Sequence, residues 1–399
     1  MTLGPRYLKT FLAVVEKGSA SKASEVLGRA QSAVTRSIHE LETELGVELF
    51  ERHSSGMLLT RFGNVLETRG RRALQEMDEA RRLLCTNPAN PACRNSPVFD
   101  LMMGERRLQI FMALVEKRHM PSVAEMMDIS QPAVSQAIRD IEASIGLKLF
   151  DRGPKGLLPT PEGQVLAEHV RRAMAELESA EAEISELTGM LRGHVDIGAL
   201  SLGRTSILPK AIASVLRRCP QLTISTVEGP YAALARSLRS GEIDFILGAL
   251  RPPEETVGFA RDVLVMDDMS FVVGGHHPLA QRVSVRWSEL LELSWILPQK
   301  GTPTREMAER MFYTRNLPPP KVALETADLS VVRGMLLESD MVAAVSAREL
   351  RAELSSRWLS VLPMRLPETA RPIGILRREN SMPSPGARML IEELRLVSL

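Results

Sequence analysis

Cysteine and long apolar runs are both scarce in this chain of 399 residues. Its three cysteines are odd in number and lack zinc-site spacing, which argues against a disulfide framework and for a reducing compartment. No apolar run approaches the roughly 20 residues needed to cross a bilayer. Residues 1–5 lack the basic region followed by an apolar stretch that marks a secretory leader. We therefore expect a cytoplasmic protein without membrane contact.

Net charge is nearly absent as well. The formal charge is +1 at pH 7, and residues 8–66 contain seven Lys or Arg and seven Asp or Glu. A bulk basic field is thereby excluded, so any contact with DNA must come from individually placed side chains and helix ends. The length predicts two to four domains, and the hydrophobic content of 44% is ordinary for a folded soluble protein.

Recognisable catalytic motifs are missing too. No phosphate-binding glycine loop and no nucleophile–base pair stands out. The pair His276-His277, with Asp267-Asp268 nearby, is the one cluster that suggests metal or acid–base chemistry. We predict no enzyme, no catalytic residue, no metal and no cofactor, and a metal-dependent enzyme remains a remote alternative.

What the chain does contain is a long internal repeat. Residues 8–66 align without a gap to residues 108–166, with 22 identical pairs in 59 positions. A unit of this length can bury a small core of its own, so the repeat indicates a domain duplication and not a solenoid. We call residues 8–66 copy one and residues 108–166 copy two.

Copy one has the pattern of a DNA-reading unit. Apolar spacing predicts a helix ending near Gly18, a second at about Ser21–Leu27 and a third from about Gln31 to Leu45. The third helix is polar on its outer face near its start, as insertion into a major groove requires, and a β-hairpin wing follows. The predicted DNA-binding residues of copy one are Gln31, Ser32, Thr35, Arg36 and the wing residue Arg52.

Copy two repeats this scheme with a better helix start. Ser130 can cap its third helix, whereas copy one has Ala30 at that position, a loss of roughly 1 kcal/mol. The missing cap favours copy two as the reader, but Arg36 favours copy one, since Arg pairs well with guanine and Gln136 with adenine. The predicted DNA-binding residues of copy two are Gln131, Pro132, Ser135, Gln136, Arg139 and the wing residue Arg152.

A long amphipathic helix follows each copy. Apolar residues between Val170 and Leu191 recur at spacings of three and four, which favours pairing with a helix of a partner chain. The shorter stripe after copy one fits pairing or packing on its own domain equally well. Between the copies, residues 85–97 form a helix-breaking spacer that we expect to be extended or mobile.

The pattern changes after Gly193 to short β-rich runs that alternate with helices, which predicts open, largely parallel sheets of the α/β class. Ligands of such sheets bind beyond the carboxyl ends of strands, near helix starts. A carboxylate or other small anion fits Lys300 and Arg305 there, whereas Glu228 fits a sugar or a cationic group equally well. The predicted ligand-contacting residues are Ser201, Glu228, Gly248, Thr302 and Thr304.

Three segments of copy two carry a family resemblance: Ser130-Gln-Pro-Ala-Val-Ser-Gln-Ala-Ile138, Leu149-Phe-Asp-Arg152 and Leu158-Pro-Thr-Pro-Glu-Gly163. Together with their counterparts in copy one, they resemble the winged-helix signature of LysR-type transcriptional regulators. The resemblance implies an effector domain of two lobes, similar to periplasmic solute-binding proteins, with a small-molecule cleft between them. It also implies binding of promoter or operator double-stranded DNA as a homo-oligomer, a dimer or tetramer. The family normally has one winged helix per chain, so the repeat is a departure.

The expected fold is therefore multidomain, with two mainly helical winged helix-turn-helix domains, long linker helices and a two-lobed α/β domain. The expected ranges are 1–66 for copy one, 67–84 for its helix, 85–107 for the spacer and start of copy two, 108–166 for copy two, 162–192 for the linker and dimerisation helix and 193–399 for the effector domain. Its first lobe would comprise 193–268 and 367–399, and its second 269–366. The leading hypothesis is a ligand-responsive transcription factor. The alternative keeps the effector domain and makes one repeat a protein-assembly module.

Overall fold

The computed structural model describes residues 5–53, 56–87, 90–153, 156–205 and 207–398. Copy one contains helices α1 (Leu8–Lys17), α2 (Ala20–Leu27) and α3 (Gln31–Leu45), strands β1 (Phe50–His53) and β2 (Gly56–Leu59), and the long helix α4 (Arg61–Leu84). The short helix α5 (Pro91–Arg94) follows. Copy two contains α6 (Glu105–Lys117), α7 (Met120–Met126), α8 (Gln131–Ile145), β3 (Phe150–Gly153), β4 (Gly156–Pro159) and the long helix α9 (Pro161–Leu187).

The same local chemistry starts the long helix of each copy. Thr60 accepts a hydrogen bond from the Gly63 amide at 3.1 Å, and Thr160 accepts one from Gly163 at 3.0 Å. The glycine is required because a Cβ at Gly63 would lie 2.2 Å from the carbonyl oxygen of Leu49. The equivalent distance at Gly163 is 2.1 Å, to Leu149. Each wing is thereby pressed against the start of its long helix.

The two long helices pack against each other along their length and run antiparallel. Residues early in α4 meet residues late in α9, as in the Arg69–Glu183 contact, and residues farther along α4 meet earlier ones, as in Glu76–His169. Small side chains allow the close approach, and all four of the following are fully buried: Ala73, Ala80, Ala173 and Ala180. The apolar seam of α9 is therefore covered by α4 of the same chain. The expectation that it would pair with a partner chain was wrong because periodicity cannot say which helix fills a seam.

The described part of the spacer, residues 85–87 and 90–97, is packed, and the expectation of an extended or mobile segment was wrong there. Cys85 and Cys93 form a disulfide, so three cysteines did not exclude a bridge, and the inference of a reducing compartment loses that support. Asn90 donates to the carbonyl oxygen of Ile145 at 3.0 Å. Val98, Phe99 and Leu101 are buried in the core that both copies share. Apolar side chains after the last proline explain why this segment is held in place.

The C-terminal half consists of two five-stranded sheets flanked by helices. The first sheet has the strand order β6-β5-β7-β14-β8, and its elements are β5 (Gly193–Ala199), α10 (Ser201–Arg204), α11 (Ile207–Arg218), β6 (Leu222–Val227), α12 (Tyr231–Ser240), β7 (Phe245–Ala249) and β8 (Phe259–Asp267). The second has the order β11-β10-β12-β9-β13, with β9 (Ser270–Gly274), α13 (Trp287–Leu291), β10 (Ser294–Leu297), α14 (Pro303–Tyr313), β11 (Lys321–Glu325), α15 (Leu329–Glu338), β12 (Val342–Val345), α16 (Arg351–Ser355) and β13 (Leu359–Val361). The chain then returns to the first sheet through β14 (Arg371–Arg378) and ends in α17 (Pro385–Ser398).

Both sheets are mixed and not largely parallel. In the first sheet β5 runs parallel to β6 and β7, whereas β14 runs antiparallel to β7 and β8. In the second, β9 is antiparallel to both β12 and β13. The chain leaves the first sheet after β8 and returns to it at β14, and these two strands are neighbours in that sheet. The two connections between the sheets therefore lie side by side.

Candidate DNA-binding faces and inter-lobe cavity

The predicted reading residues of copy one lie on the outer face of α3. Gln31, Ser32, Thr35 and Arg36 are exposed. The guanidinium of Arg36 donates to Glu40 one turn away at 2.9 Å, which holds this side chain along the helix surface. Arg52 lies in β1, but its side chain falls outside what the structure describes.

The corresponding face of α8 carries a different hydrogen-bond network. Gln131, Pro132, Gln136 and Arg139 are exposed, Ser135 is half-buried, and Arg152 is exposed on the wing strand β3. Arg139 donates to Ser135 at 2.6 Å and to Gln136 at 2.7 Å. The amide nitrogen of Gln136 in turn donates to Asp140 at 2.7 Å. Both ends of the Gln136 amide are therefore engaged in this state.

The starts of the two reading helices differ as the sequence predicts. Ser130 accepts a hydrogen bond from the Ala133 amide at 3.4 Å, whereas Ala30 makes no side-chain cap. Both reading helices end on a glycine in the left-handed region, Gly46 with φ 68° and Gly146 with φ 69°. The two helices thus have equal length, and only one has a side-chain cap at its first turn.

The contacts between α4 and α9 obey an internal twofold relation. Arg69 donates to Glu176 at 2.7 Å, and His169, 100 positions after Arg69, is hydrogen-bonded to Glu76 at 2.9 Å. Arg69 thus meets Glu176, the counterpart of Glu76, and Glu76 meets His169, the counterpart of Arg69. This exchange is the mark of an isologous dimer interface. The same relation holds for Arg72–Glu176 and Arg172–Glu76, at 2.9 and 3.6 Å. One chain therefore contains an interface of the kind that normally joins two identical chains.

Arg69 breaks this symmetry, because it also binds the C-terminal half. The side chain is fully buried, and its Nε donates to Glu183 at 2.9 Å. Its terminal nitrogens donate to the carbonyl oxygens of Met382 (2.7 Å) and Pro383 (2.8 Å), in the connection between β14 and α17. All five guanidinium N–H groups can be satisfied by these partners. Arg69 therefore joins copy one, the linker helix of copy two and the first sheet at one point.

Three of the five predicted ligand-contacting residues come together at a cavity of about 200 Å³ between the two sheets. Ser201 contributes from the start of α10, and Thr302 and Thr304 contribute from the start of α14. The Thr302 hydroxyl donates to the carbonyl oxygen of Gln299 at 2.8 Å and makes no cap. We call this space the inter-lobe cavity. Pro298, Thr326, Glu349 and Arg371 also line it.

The other two predicted residues lie elsewhere. Glu228 lines a wider neighbouring cleft of about 1110 Å³ and forms an ion pair with Arg204. Gly248 is buried, and a Cβ there would lie 2.4 Å from that of Leu200, so the glycine serves backbone packing. The prediction that Arg305 could hold an anion is also wrong, because it is buried and donates to Glu309 and Glu325.

Sequence reasoning missed the charged residues of the cavity. Arg371 donates to the Thr304 hydroxyl at 3.1 Å, while its Nε is buried and has no hydrogen-bond partner among the described residues. Burial raises the pKa of Glu349 to about 7, although Arg371 acts in the opposite direction. Asp267, which pairs with Arg371 between β8 and β14, does not line the cavity; burial also raises its pKa, and it accepts a hydrogen bond from Ser346 at 2.8 Å. No local pattern in the sequence identifies Arg371, because its position beside Thr304 depends on how the chain returns to the first sheet.

The histidine pair does not assemble a metal centre. His277 is buried and accepts a hydrogen bond from the Leu279 amide at 3.0 Å, and burial lowers its pKa. His276 lies 3.6 Å from Asp340 instead of beside Asp267 or Asp268. Within residues 5–398, apart from the short undescribed gaps, no group of three His, Cys, Asp or Glu residues is placed to hold a metal ion. In the same described part, no helix is long and apolar enough to span a membrane.

Comparison with family models gives two matches. The model described as "LysR substrate binding domain" matches residues 188–397. The model described as "Bacterial regulatory helix-turn-helix protein, lysR family" matches twice, at residues 5–64 and 106–164. The second model therefore matches each copy, and the first covers the two-sheet region, beginning at the residue that follows α9.

Relatives and solved structures agree with these matches. The HTH-type transcriptional regulator GalR of Pseudomonas putida is 41% identical over 390 residues, covering 98% of this chain and 96% of that protein. Full-length OxyR from Pseudomonas aeruginosa has a TM-score of 0.55 at 23% identity, covering 73% of this chain and 97% of that one. Full-length CbnR, solved in complex with its target DNA, has a TM-score of 0.53 at 19% identity, covering 73% and 99%. The two solved structures thus leave about a quarter of this chain unmatched, whereas GalR leaves almost none.

Proposed function

The chain belongs to the LysR family of bacterial transcriptional regulators, and on that premise we propose that it is a ligand-responsive regulator with two DNA readers. Copy one and copy two are winged helix-turn-helix domains that arose by duplication, and each inserts its third helix into a major groove of promoter DNA. The internal twofold between α4 and α9 carries this proposal. A fixed pair of readers is what a regulator usually obtains by dimerisation.

The dimensions of the helix pair support this function. Helix α4 has 24 residues and is therefore about 36 Å long, close to one turn of DNA. Because α4 and α9 run antiparallel, the two wings lie at opposite ends of the pair. Symmetric readers bind half-sites about one turn apart, so one chain can span two half-sites. A dimer of this chain would then present four readers, and a tetramer with eight ordered DNA contacts would contradict that stoichiometry.

The C-terminal half is proposed to be the effector domain, similar to periplasmic solute-binding proteins. Residues 193–268 and 367–399 would form one lobe and residues 269–366 the other. The effector is a small molecule in the inter-lobe cavity, held by the hydroxyls of Ser201, Thr302 and Thr304. The buried Nε of Arg371 favours a ligand with an acceptor oxygen, such as that of a carboxylate, since an unpaired buried donor is costly unless a ligand satisfies it.

Strand β14 offers a direct connection between ligand and readers. Arg371 stands at its first position, beside the inter-lobe cavity, and the segment after its last position supplies the two carbonyl oxygens that bind Arg69. A ligand that shifts β14 would therefore act on the junction of α4 and α9. Such a ligand changes DNA binding only as far as it has different affinities for the two arrangements.

Alanine variants at the reading faces test the DNA-binding function. Arg36→Ala in copy one and Gln131→Ala in copy two should each weaken binding at a cognate site by about 1–3 kcal/mol. The sites would come from selection on randomised duplexes with the full chain, and footprinting would measure the loss. Unchanged footprints for both variants would contradict the proposed reading roles.

The second candidate function makes copy one a module for assembly. Its uncapped α3 and the burial of α4 against α9 favour this possibility. Deleting residues 1–100 would expose the buried face of α9, so point variants are the better test. If Gln31→Ala and Arg36→Ala leave the footprint unchanged while Gln131→Ala shortens it, copy one is an assembly module.

Ligand binding can be tested independently of DNA. A panel of small mono- and dicarboxylates would be screened by thermal shift on the full chain, and any hit should raise the melting temperature. Arg371→Met should abolish the shift, whereas Arg395→Met, on a half-exposed cation paired with Asp262 and absent from the cavity lining, serves as a control. A shift that persists in Arg371→Met would place the ligand elsewhere.

A further inference from the structure

The two reading faces are held in a symmetric frame but carry different residues. The frame is the twofold arrangement of α4 and α9 described above, with Arg69–Glu176 mirrored by His169–Glu76. In a dimer of identical chains, such a frame presents the same residues to both half-sites, so the operator is a palindrome. Here the two halves of the frame have separate sequences and need not read the same bases.

The differences lie at positions that face outward. Among positions 31, 32, 35, 36 and 39 and their counterparts in copy two, Gln31 and Gln131 are identical, and Thr35 is matched by Ser135. Arg36 of copy one corresponds to Gln136 of copy two. The remaining pairs are Ser32 with Pro132 and His39 with Arg139. The two faces thus share one base-reading residue and differ at another.

Because copy one has Arg36 where copy two has Gln136, the two reading faces prefer different bases at this position. An arginine donates two hydrogen bonds to the acceptors of guanine, whereas a glutamine both donates to and accepts from adenine. The side-chain partners of Arg36 and Gln136 also differ. Arg36 is an exposed cation that pairs with Glu40, and Gln136 lies between Asp140 and Arg139. A guanidinium and an amide therefore occupy equivalent places in the two half-sites.

We propose that one chain recognises an asymmetric operator, an imperfect inverted repeat whose two arms differ at the base pair facing Arg36 and Gln136. The arm read by copy one has guanine there, and the arm read by copy two has adenine. Both arms share the base read by Gln31 and Gln131. This inference rests on the proposed function, since it requires that both copies read DNA. It also fixes the direction in which the chain, and with it the effector domain on α9, lies on the promoter.

Selection on randomised DNA is the first test. The full chain would be used to enrich binders from double-stranded DNA with a random centre of 30 base pairs. Enrichment of an inverted repeat with guanine in one arm and adenine in the other supports the inference. Identical arms overturn it and leave the proposed function intact. Enrichment of a single arm overturns both the inference and the proposal of two readers, and favours the second candidate function, in which only one copy reads DNA. Failure to enrich any sequence would instead overturn the proposed function.

Exchange variants are the second and sharper test. Three duplexes would carry guanine and adenine, two guanines, or two adenines at the distinguishing positions. The natural chain should bind the mixed duplex roughly 5- to 150-fold more tightly than either uniform one, the factor expected for one mismatched contact. Arg36→Gln should shift the preference to two adenines, and Gln136→Arg should shift it to two guanines. The double exchange should restore the preference for the mixed duplex.

A matched control excludes a general effect on folding. Thr43→Ala places the residue of copy two at the equivalent position of copy one, two turns beyond Arg36 and away from the helix start that enters the groove. It should leave all three affinities unchanged. If the exchange variants keep the preference of the natural chain for the mixed duplex, Arg36 and Gln136 do not distinguish the arms and the inference fails.

Discussion

Copy one and copy two share a backbone plan and differ in what they are joined to. Each has three helices, a wing and a long helix, and each long helix buries its seam against the other. Copy two continues directly into the first sheet through α9. Copy one reaches that sheet through Arg72, which donates to the carbonyl oxygen of Asn380 at 2.8 Å, and through Arg69, which occupies the place of His169 in copy two. A duplicated unit can therefore keep its contacts with its twin while one copy gains an additional contact with a third domain.

The largest effect is expected where this asymmetry is greatest. Arg69→Met removes a fully buried cation and leaves Glu183 without its partner at this junction, so we expect a loss of roughly 3–5 kcal/mol in the free energy of unfolding. His169→Met is the matched variant. It removes one hydrogen bond to Glu76 and should cost about 1 kcal/mol.

Urea unfolding followed by circular dichroism would measure both losses. Similar losses for Arg69→Met and His169→Met would show that the contacts of Arg69 with the segment after β14 add nothing to stability. In that case the two halves of the twofold interface would contribute equally to the free energy of unfolding. Arg69 would then no longer be favoured as the connection between the effector domain and the readers.

The second effect concerns DNA affinity at the one reading residue that both copies share. If both copies read DNA, Gln31→Ala and Gln131→Ala should each weaken binding to the selected site by about 1–3 kcal/mol. Fluorescence anisotropy on a labelled duplex would measure the loss, with Thr43→Ala as control. A loss for Gln131→Ala alone would identify copy one as the assembly module.

The local elements of both copies could be predicted closely from the sequence. The predicted third helix of copy one coincides with α3, and the missing cap at Ala30 was anticipated. Such features depend on neighbours within one turn, which the sequence shows directly. The pairing of α9 with α4 could not be predicted, because a seam at spacings of three and four is equally suited to a helix of the same chain or of another.

At the inter-lobe cavity, too, local features could be predicted from the sequence, whereas contacts between distant segments could not. Ser201, Thr302 and Thr304 could be predicted because helix starts after strands are visible in the sequence. Arg371 could not, since its position beside Thr304 depends on how the chain returns from the second sheet to the first. The DNA-reading and ligand-contacting roles of these residues stay predictions until the variants above are measured.

The third effect tests the unequal starts of the reading helices. Ser130→Ala removes the side-chain cap of α8 and should lower stability by about 1 kcal/mol, whereas Ala30→Ser should raise it by up to a similar amount. Thermal unfolding of the two variants would make the comparison. No gain from Ala30→Ser would mean that the first turn of α3 is already satisfied, and the weak start of copy one would no longer favour a scaffold.

The smallest effect is a difference in acid sensitivity across the twofold. Burial alone would raise the pKa of Glu76, but its hydrogen bond to His169 and the charge of Arg172 outweigh burial and lower it. A carboxyl group whose pKa is lowered on folding adds stability above its unfolded pKa, about 4.5, and loses that contribution as the pH falls further. Glu76→Gln should therefore cost less than about 1 kcal/mol at pH 7 and less still near pH 3, as measured by urea unfolding at both values. If the loss in the free energy of unfolding caused by Glu76→Gln is the same at both pH values, the Glu76 side chain acts through packing and not through its charge. The half of the interface that contains His169 would then have no acid sensitivity of its own.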